Sequence, residues 1–170
     1  MLVMKPALYG SMTQPLNSAA AKLIVEIANR QEVLPVEENR LREGICAVLA
    51  GEGIQRANIS VAIVDDCEIH ELNRRFLNHD YATDVLSFAL EQAEGFVEGE
   101  IIVSADTATE FANRFGWAPA DELLLYAVHG TLHLVGYDDQ TVQAQNEMRE
   151  RETVYLSQFE LRPRYEERGP

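Results

Sequence analysis

Residues 120–135 form the most apolar helical segment of the sequence, and they constrain the fold more than any other part of it. Its apolar side chains and one threonine cover most faces of a helix: Leu123, Leu124, Ala127, Thr131, Leu132 and Leu134. A helix that is apolar nearly all round is buried by neighbouring elements. The longest unbroken apolar run is 123–128, far short of the roughly 18–20 residues of a membrane span. We therefore expect a central core helix and no membrane partner.

The segments around this helix alternate between strand and helix patterns. Strands are predicted at 23–28, 59–64, 83–90 and 99–103, with an acidic loop, 91–98, between the last two. Helices are predicted at 36–50, 68–76, 104–115, 120–135 and 141–159. The first βαβ unit favours a parallel pair, and the hairpin adds an antiparallel strand. The predicted fold is α+β (mixed α/β), a small mixed β-sheet of about four strands with helices packed on it.

Length, charge and cysteine content limit the organisation of the chain and its partners. Its 170 residues predict one domain, placed at 22–160 between a flexible N-terminal arm, 1–21, and a flexible tail, 161–170. A formal net charge of −14 repels phosphate backbones, so bulk electrostatics cannot supply affinity for nucleic acid. Cys46 and Cys67 share no motif, which favours a reduced, cytoplasmic protein without a disulfide partner.

The chemistry-bearing segment is 129–139, at the end of the apolar helix. His129 and His133 are four residues apart, which places both imidazoles on one helix face, one turn apart. Gly136 allows the helix to end and the chain to turn back. A carboxylate from Asp139 can then reach the same point, so we predict a metal site on the helix and the following turn. Three ligands and an open position for water are typical of catalytic zinc.

Two acidic residues of this turn have competing interpretations. Asp139 could instead cap the helix that begins near Thr141. Asp138 could orient one of the ligand histidines or serve as the cap itself.

The spacing of the three ligands equals that of metzincin proteases. In those enzymes a glutamate that activates water follows the first histidine, whereas this chain has Gly130 at that position. Peptide hydrolysis is therefore disfavoured, although a metzincin-like metallopeptidase remains an alternative.

The same residues resemble the signature of the YbeY family. The likeness rests on His-Gly-x-Leu-His-Leu-x-Gly-Tyr-Asp at 129–138 and on three upstream motifs in register. These are Leu-Asn-Arg-Arg-Phe at 72–76, Ala-Thr-Asp-Val-Leu-Ser-Phe at 82–88 and Gly-Glu-Ile-Ile-Val-Ser at 99–104. The resemblance covers 25–160.

YbeY proteins are bacterial metal-dependent endoribonucleases of ribosomal RNA maturation and ribosome quality control. The resemblance implies a single-strand-specific enzyme that acts in late 3′-end maturation of small-subunit rRNA. It implies Zn²⁺, one per chain, as cofactor, and rRNA and the ribosome or ribosomal proteins as partners.

Two positions depart from the family pattern. Asp139 stands where the family usually has His, and Leu77 stands where it often has Arg. An anionic third ligand lowers the net charge of the site, so we expect weaker acidification of bound water than with three histidines. Arg75 or His79 could replace the missing phosphate contact, and Asp84 could line the cleft. These three residues are the substrate-binding candidates.

The sequence leaves several alternatives open. No general base is visible, so the metal-bound water is the only catalytic group assigned, and the product ends are not determined. Nitrogen and oxygen ligands also suit nickel, iron or manganese. A ribosome-assembly factor with a structural or degenerate metal site is the alternative outside enzymes.

Overall fold

The structure is a computed structural model that describes residues 22–165. Four strands form one sheet in the order β1-β2-β4-β3, with bounds β1 (Lys22–Asn29), β2 (Arg56–Val64), β3 (Val85–Ala93) and β4 (Phe96–Ser104). Strands β1, β2 and β4 are parallel, and β3 is antiparallel to β4. This arrangement confirms the predicted mixed four-stranded sheet. The arm predicted at 1–21 lies outside the described residues.

Five helices accompany the sheet in this part of the chain. They are α1 (Glu38–Gly51), α2 (Asp66–Leu77), α3 (Ala105–Phe115), α4 (Pro119–Leu134) and α5 (Val142–Leu156), and α5 continues into a short 3-10 turn at Ser157–Phe159. None of the helices among residues 22–165 is both long and apolar enough to cross a membrane. Cys46 and Cys67 are free thiols.

Helix α4 is the centre of the fold, as its composition predicts. It packs against α1, α3 and α5 on its sides and against strands β3 and β4 beneath it. Pro119 begins the helix, and Asp121 and Glu122 lie in its first turn, where the positive end of the helix dipole favours acids. Its leucines are almost fully buried. Every neighbouring element is therefore arranged around this one helix.

The hairpin between β3 and β4 differs from the sequence prediction. The two strands extend through most of the expected acidic loop 91–98, and Ala93 pairs with Phe96. The connection is only the pair Glu94–Gly95, and Gly95 has φ +68°. Glycine adopts this left-handed conformation without strain, which permits the short connection. The acidic side chains lie on exposed faces of the hairpin. The sequence there therefore lacks the alternation of apolar and polar residues that predicts a strand.

Helix ends follow the capping signals in the sequence. Asp65 caps α2, Ser104 caps α3, and Thr141 caps α5 by accepting a hydrogen bond from the backbone N–H of Ala144. Because Thr141 holds the cap of α5, Asp139 is not used for capping. The turn between α4 and α5 therefore leaves the Asp139 carboxylate available.

Helix α2 lies on the sheet face opposite α4. A small second core of Val64, Ile69, Leu86 and Ile102 joins it to the sheet. Residues 161–165, the described part of the predicted tail, follow the 3-10 turn. The backbone N–H of Leu161 donates to Leu156 O at 3.1 Å.

A partly buried hydrogen-bond cluster joins α1 to α5. The Glu52 carboxylate, just after α1, accepts hydrogen bonds from Tyr155 (2.5 Å), Tyr137 (3.1 Å) and Arg151. Burial raises the pKa of Glu52, but the bonds from Tyr155, Arg151 and Tyr137 outweigh it and hold the pKa below its ordinary value. The charged form of Glu52 is therefore the stabilising form.

We predict that Glu52→Gln lowers the free energy of unfolding at pH 7 by about 1.5–3 kcal/mol, the usual value of a hydrogen bond to a charged group. Since the folded pKa is depressed, this stabilisation is present above the unfolded value of about 4.3. It is lost as the pH falls through the lower, folded pKa. Urea denaturation of both proteins at pH 7 and in acid should show the difference shrink on acidification. Glu150→Gln, at an exposed site on α5, is the control, and an equal loss there would contradict the assignment.

Candidate metal centre

Two imidazoles meet at the C-terminal end of α4. His129 and His133 lie one helical turn apart, with ring centroids 4.5 Å apart and ring planes at 85°. Their Nε2 atoms face each other at 2.9 Å. The side chains are partly exposed, 20% for His129 and 28% for His133. Both rings therefore present the same nitrogen to one point that solvent can reach.

The turn after α4 brings Asp139 to this point. Gly136 has φ +104°, a conformation that side-chain-bearing residues rarely adopt, and the Tyr137 N–H returns to Leu132 O at 3.0 Å. Asp139 Oδ2 lies 3.9 Å from His129 Nε2, and Oδ1 lies 4.0 Å from His133 Nε2. Gly136 thus reverses the chain so that the carboxylate faces the two rings.

The spacing of these atoms fits a small metal ion. One ligand atom from each of His129, His133 and Asp139 lies within 4.8 Å of the others. Zinc bonds of about 2.0–2.1 Å in a tetrahedron separate neighbouring ligands by roughly 3.3 Å. The histidine pair is slightly closer than this and the carboxylate slightly farther. Small side-chain movements would make the three residues a set of zinc ligands.

The opposite nitrogen of each ring has its own hydrogen-bond acceptor. His129 Nδ1 donates to Glu152 Oε1 at 2.6 Å, and His133 Nδ1 donates to the Tyr137 carbonyl at 3.0 Å. A carboxylate and a carbonyl only accept, so both Nδ1 atoms carry a proton. In the neutral rings both Nε2 atoms then present lone pairs to each other, a contact that becomes favourable when a proton or a metal ion lies between them. This pattern is typical of metal-binding histidines.

Three acidic residues surround His129. Burial lowers the pKa of His129, but the hydrogen bond and charge of Glu152, with further charge from Asp84 and Asp139, raise it above its ordinary value. Glu152 itself is 2% exposed. Its second oxygen accepts a hydrogen bond from the Tyr165 hydroxyl at 2.5 Å. The centre therefore has a negative environment that favours a positive occupant.

A cavity of about 200 Å³ opens beside His129 and Asp139. Helices α3, α4 and α5 form its walls, and Asp84 and Tyr165 also line it. Two hydrogen bonds hold Asp84 Oδ1, from Val85 N at 2.8 Å and Thr83 Oγ1 at 2.9 Å. Of the three substrate-binding candidates, Asp84 is thus placed beside the proposed ligands.

The other two candidates lie at and beyond the end of α2. Arg75 and His79 are exposed and do not belong to the described lining of this cavity. The Arg75 guanidinium is 5.3 Å from the Phe76 ring centroid, and the His79 ring stacks on Tyr81 at 5.4 Å. Leu77, where the resemblance led us to expect an arginine, is 46% exposed. The structure does not bring Arg75 or His79 into the metal-binding cluster.

Sequence reasoning missed Glu152 and Tyr165. Glu152 lies on the buried stripe of α5 with Met148 and Tyr155. A buried acid needs a hydrogen-bond partner, so the position of Glu152 on an apolar stripe was the signal in the sequence that could have identified it. Asp138, considered as an orienting residue, instead accepts a hydrogen bond from the Asp139 N–H at 2.8 Å. Tyr165 carried no signal because it lies in the predicted tail.

Gly130 faces the sheet and not the cavity. A Cβ atom there would lie 2.8 Å from Ile101 Cγ2 and 2.9 Å from Ser87 Oγ. A glutamate at this position would meet the β3–β4 surface and could not reach the site. This geometry disfavours a protease-type mechanism independently of the missing carboxylate.

The comparison with family models and the comparison with curated proteins identify the same family. Residues 26–160 match the family model described as Endoribonuclease YbeY. An Endoribonuclease YbeY from Rhodopirellula baltica is 40% identical over 153 residues, which cover 85% of this chain and 79% of the relative. One from Moorella thermoacetica is 38% identical over 151 residues, which cover 80% of this chain and 97% of the relative.

A solved structure has a similar fold. The solution structure of a Thermotoga maritima protein matches with a TM-score of 0.56 and 24% identity, covering 86% of this chain and all of that one. At this identity the match supports the fold alone.

We predict that Gly130→Ala lowers the free energy of unfolding by about 1–3 kcal/mol, because the new methyl group overpacks the contact between α4 and the sheet. Thermal or urea denaturation measures the loss. Asn113→Ala is the control. It places alanine at an exposed position of α3, where the side chain overpacks nothing, and it should not lower the free energy of unfolding. A Gly130→Ala protein as stable as the wild type would show that helix and sheet are not in close contact.

We predict that Asp139→Ala lowers affinity for Zn²⁺ by at least about 10-fold, since it removes a ligand. Asp138→Ala removes the neighbouring carboxylate, which touches neither histidine, and should have a smaller effect. Titration of each purified protein with Zn²⁺ against a chromophoric chelator compares the two variants. A larger loss for Asp138→Ala would assign the third ligand to Asp138.

Proposed function

This chain belongs to the YbeY endoribonuclease family, and on that premise we propose that it is a metal-dependent endoribonuclease that acts on single-stranded ribosomal RNA. The family match over 26–160 includes the whole predicted metal-binding segment. The relatives at about 40% identity carry the same printed name, Endoribonuclease YbeY. These matches support RNA hydrolysis as the reaction class.

The observation that carries the proposal is the convergence of His129, His133 and Asp139 beside an open cavity. We propose that these residues hold one Zn²⁺ per chain. Two imidazole nitrogens and one carboxylate oxygen are ordinary zinc ligands, and such a set leaves room for a further ligand. Nickel, iron and manganese accept the same donor types.

When bound, such an ion would act as a Lewis acid toward the scissile phosphate and would lower the pKa of water. The side chains of this protein supply orientation. Glu152 keeps the proton of His129 on Nδ1, and the Tyr137 carbonyl does the same for His133, so both Nε2 atoms face the site. Asp84, held by Val85 and Thr83 beside His129, would accept a hydrogen bond from a substrate hydroxyl or base.

We further propose that Arg75 and His79 contact RNA next to the catalytic cavity. His79 and the 58%-exposed Tyr81 form an accessible aromatic stack, and unpaired bases stack on such rings. Tyr81 is three residues from Asp84, a span of at most about 11 Å. A base on Tyr81 would therefore lie within one or two nucleotides of the cavity, and Arg75 would supply a cation for the backbone.

The net charge of the chain bears on how the RNA substrate would reach the site. The net charge of −14 opposes binding to free RNA. We propose that the ribosome or ribosomal proteins present the substrate, late in 3′-end maturation of small-subunit rRNA in the cytoplasm. Affinity for naked RNA would then show little salt dependence, whereas a steep salt slope would contradict this arrangement.

The test is cleavage of rRNA precursor by zinc-loaded protein. We predict that His133→Ala lowers the cleavage rate by at least about 100-fold, because the ion loses one of three ligands. Glu150→Ala is the control, since Glu150 is exposed on α5 and belongs neither to the proposed ligands nor to the proposed RNA contacts. Circular dichroism of each variant checks folding.

The outcomes separate the alternatives. Processing that survives in a folded His133→Ala protein would contradict catalysis at this site and favour an assembly factor. Loss of folding in His133→Ala and retention of folding in Glu150→Ala would indicate a structural metal. Cleavage of a peptide library by the zinc-loaded protein, with no RNA cleavage, would favour the peptidase.

A further inference from the structure

The C-terminal segment 161–165 returns to the metal centre. Arg164 Nη1 donates to the Phe115 carbonyl at the end of α3 at 2.7 Å. The next residue, Tyr165, donates its hydroxyl to Glu152 Oε2 on α5 at 2.5 Å. The segment therefore connects α3 to α5 along one side of the cavity. Tyr165 lies five residues beyond the part of the chain that matches the family model.

We propose that Tyr165 is a positioning residue of the metal centre, and that it acts through Glu152 on the proposed ligand His129. This inference rests on the proposed function, because it assumes that His129 binds a metal ion.

The argument begins with the two oxygens of Glu152. Oε1 accepts from His129 Nδ1 at 2.6 Å, and Oε2 accepts from the Tyr165 hydroxyl at 2.5 Å. The residue is 2% exposed, so bulk water is not available to satisfy either oxygen. A buried carboxylate that loses one donor pays a desolvation cost. With both donors present, the carboxylate has one orientation, and that orientation places Oε1 on the imidazole.

The orientation of Glu152 determines which nitrogen of His129 is free. A fixed Oε1 acceptor keeps the imidazole proton on Nδ1 and leaves Nε2 as the ligand atom. Without the Tyr165 hydroxyl, Oε2 has lost its donor. The carboxylate can then turn, and the His129 proton is no longer held on Nδ1. Affinity for the metal should fall, although no ligand has been removed.

The Tyr165 ring has a separate packing role. The Arg149 guanidinium lies 4.6 Å from its centroid. Tyr165→Phe keeps this contact and removes the hydroxyl. The hydroxyl lies 2.5 Å from Glu152 Oε2 and 3.5 Å from the Arg149 carbonyl, so the main loss is the hydrogen bond to Glu152.

The experiment measures Zn²⁺ affinity of the metal-free, full-length chain by competition with a chromophoric chelator. We predict that Tyr165→Phe lowers this affinity by about 10-fold, at the lower end of the range for partners of metal ligands. The ¹⁵N shifts of His129 in the metal-free protein should show reduced protonation of Nδ1. In a Glu152→Gln background, Tyr165→Phe should have little further effect.

Tyr155→Phe is the matched control. Tyr155 is buried, and its hydroxyl also donates to a carboxylate at 2.5 Å, but to that of Glu52, just after α1. The Tyr155→Phe protein should lose about as much thermal stability as the Tyr165→Phe protein, while its affinity for Zn²⁺ should stay unchanged. Equal affinity of Tyr165→Phe and wild type would overturn the inference, as would an undiminished effect in the Glu152→Gln background. A wild-type protein that binds no divalent metal would instead defeat the proposed function.

Discussion

Helix α4 has to be buried on nearly every side, and yet it carries the polar groups of the site. Its apolar residues pack against three helices and the sheet. Its polar side chains, Glu122, Tyr126, His129 and His133, are spaced by four, three and four residues, which places them on one stripe. The first three of them line the same cavity. One narrow face of the buried helix therefore borders the cavity, and the candidate chemistry lies on that face.

Each polar group on this stripe needs a partner, and the partners explain why the surrounding elements lie where they do. Trp117 Nε1 donates to Glu122 at 2.6 Å, and burial raises the pKa of Glu122 in spite of hydrogen bonds from Trp117 and Tyr126. His129 has Glu152 from α5. A buried polar group without such a partner would cost about 1–3 kcal/mol. Helix α5 thus contributes in two ways: its Glu152 pairs with His129 of α4, and the helix covers the core.

Local rules account for the part of the structure that the sequence predicted. Helical spacing places His129 and His133 together, and Gly136 permits the turn that returns Asp139, so these relations lie within eleven residues. The hairpin turn was missed because exposed glutamates masked the alternation of β3 and β4. Glu152 and Tyr165 were missed for another reason: their contact with each other and with His129 depends on how α5 and the following segment pack. No spacing rule encodes such a contact.

The third ligand has the largest consequence for how the site would meet RNA. With three neutral histidines as ligands, only the Glu152 carboxylate would offset the charge of a divalent ion. With Asp139 as ligand, the charges of Asp139 and Glu152 balance a divalent ion, and Asp84 beside them makes the neighbourhood negative. Such a centre would hold its metal firmly but would attract a phosphate weakly. The exposed Leu77, which supplies no cation, acts in the same direction. On the proposed function, both residues would therefore make the metal centre a weak attractor of the substrate. Contacts elsewhere on the surface would then have to bring the RNA to the site.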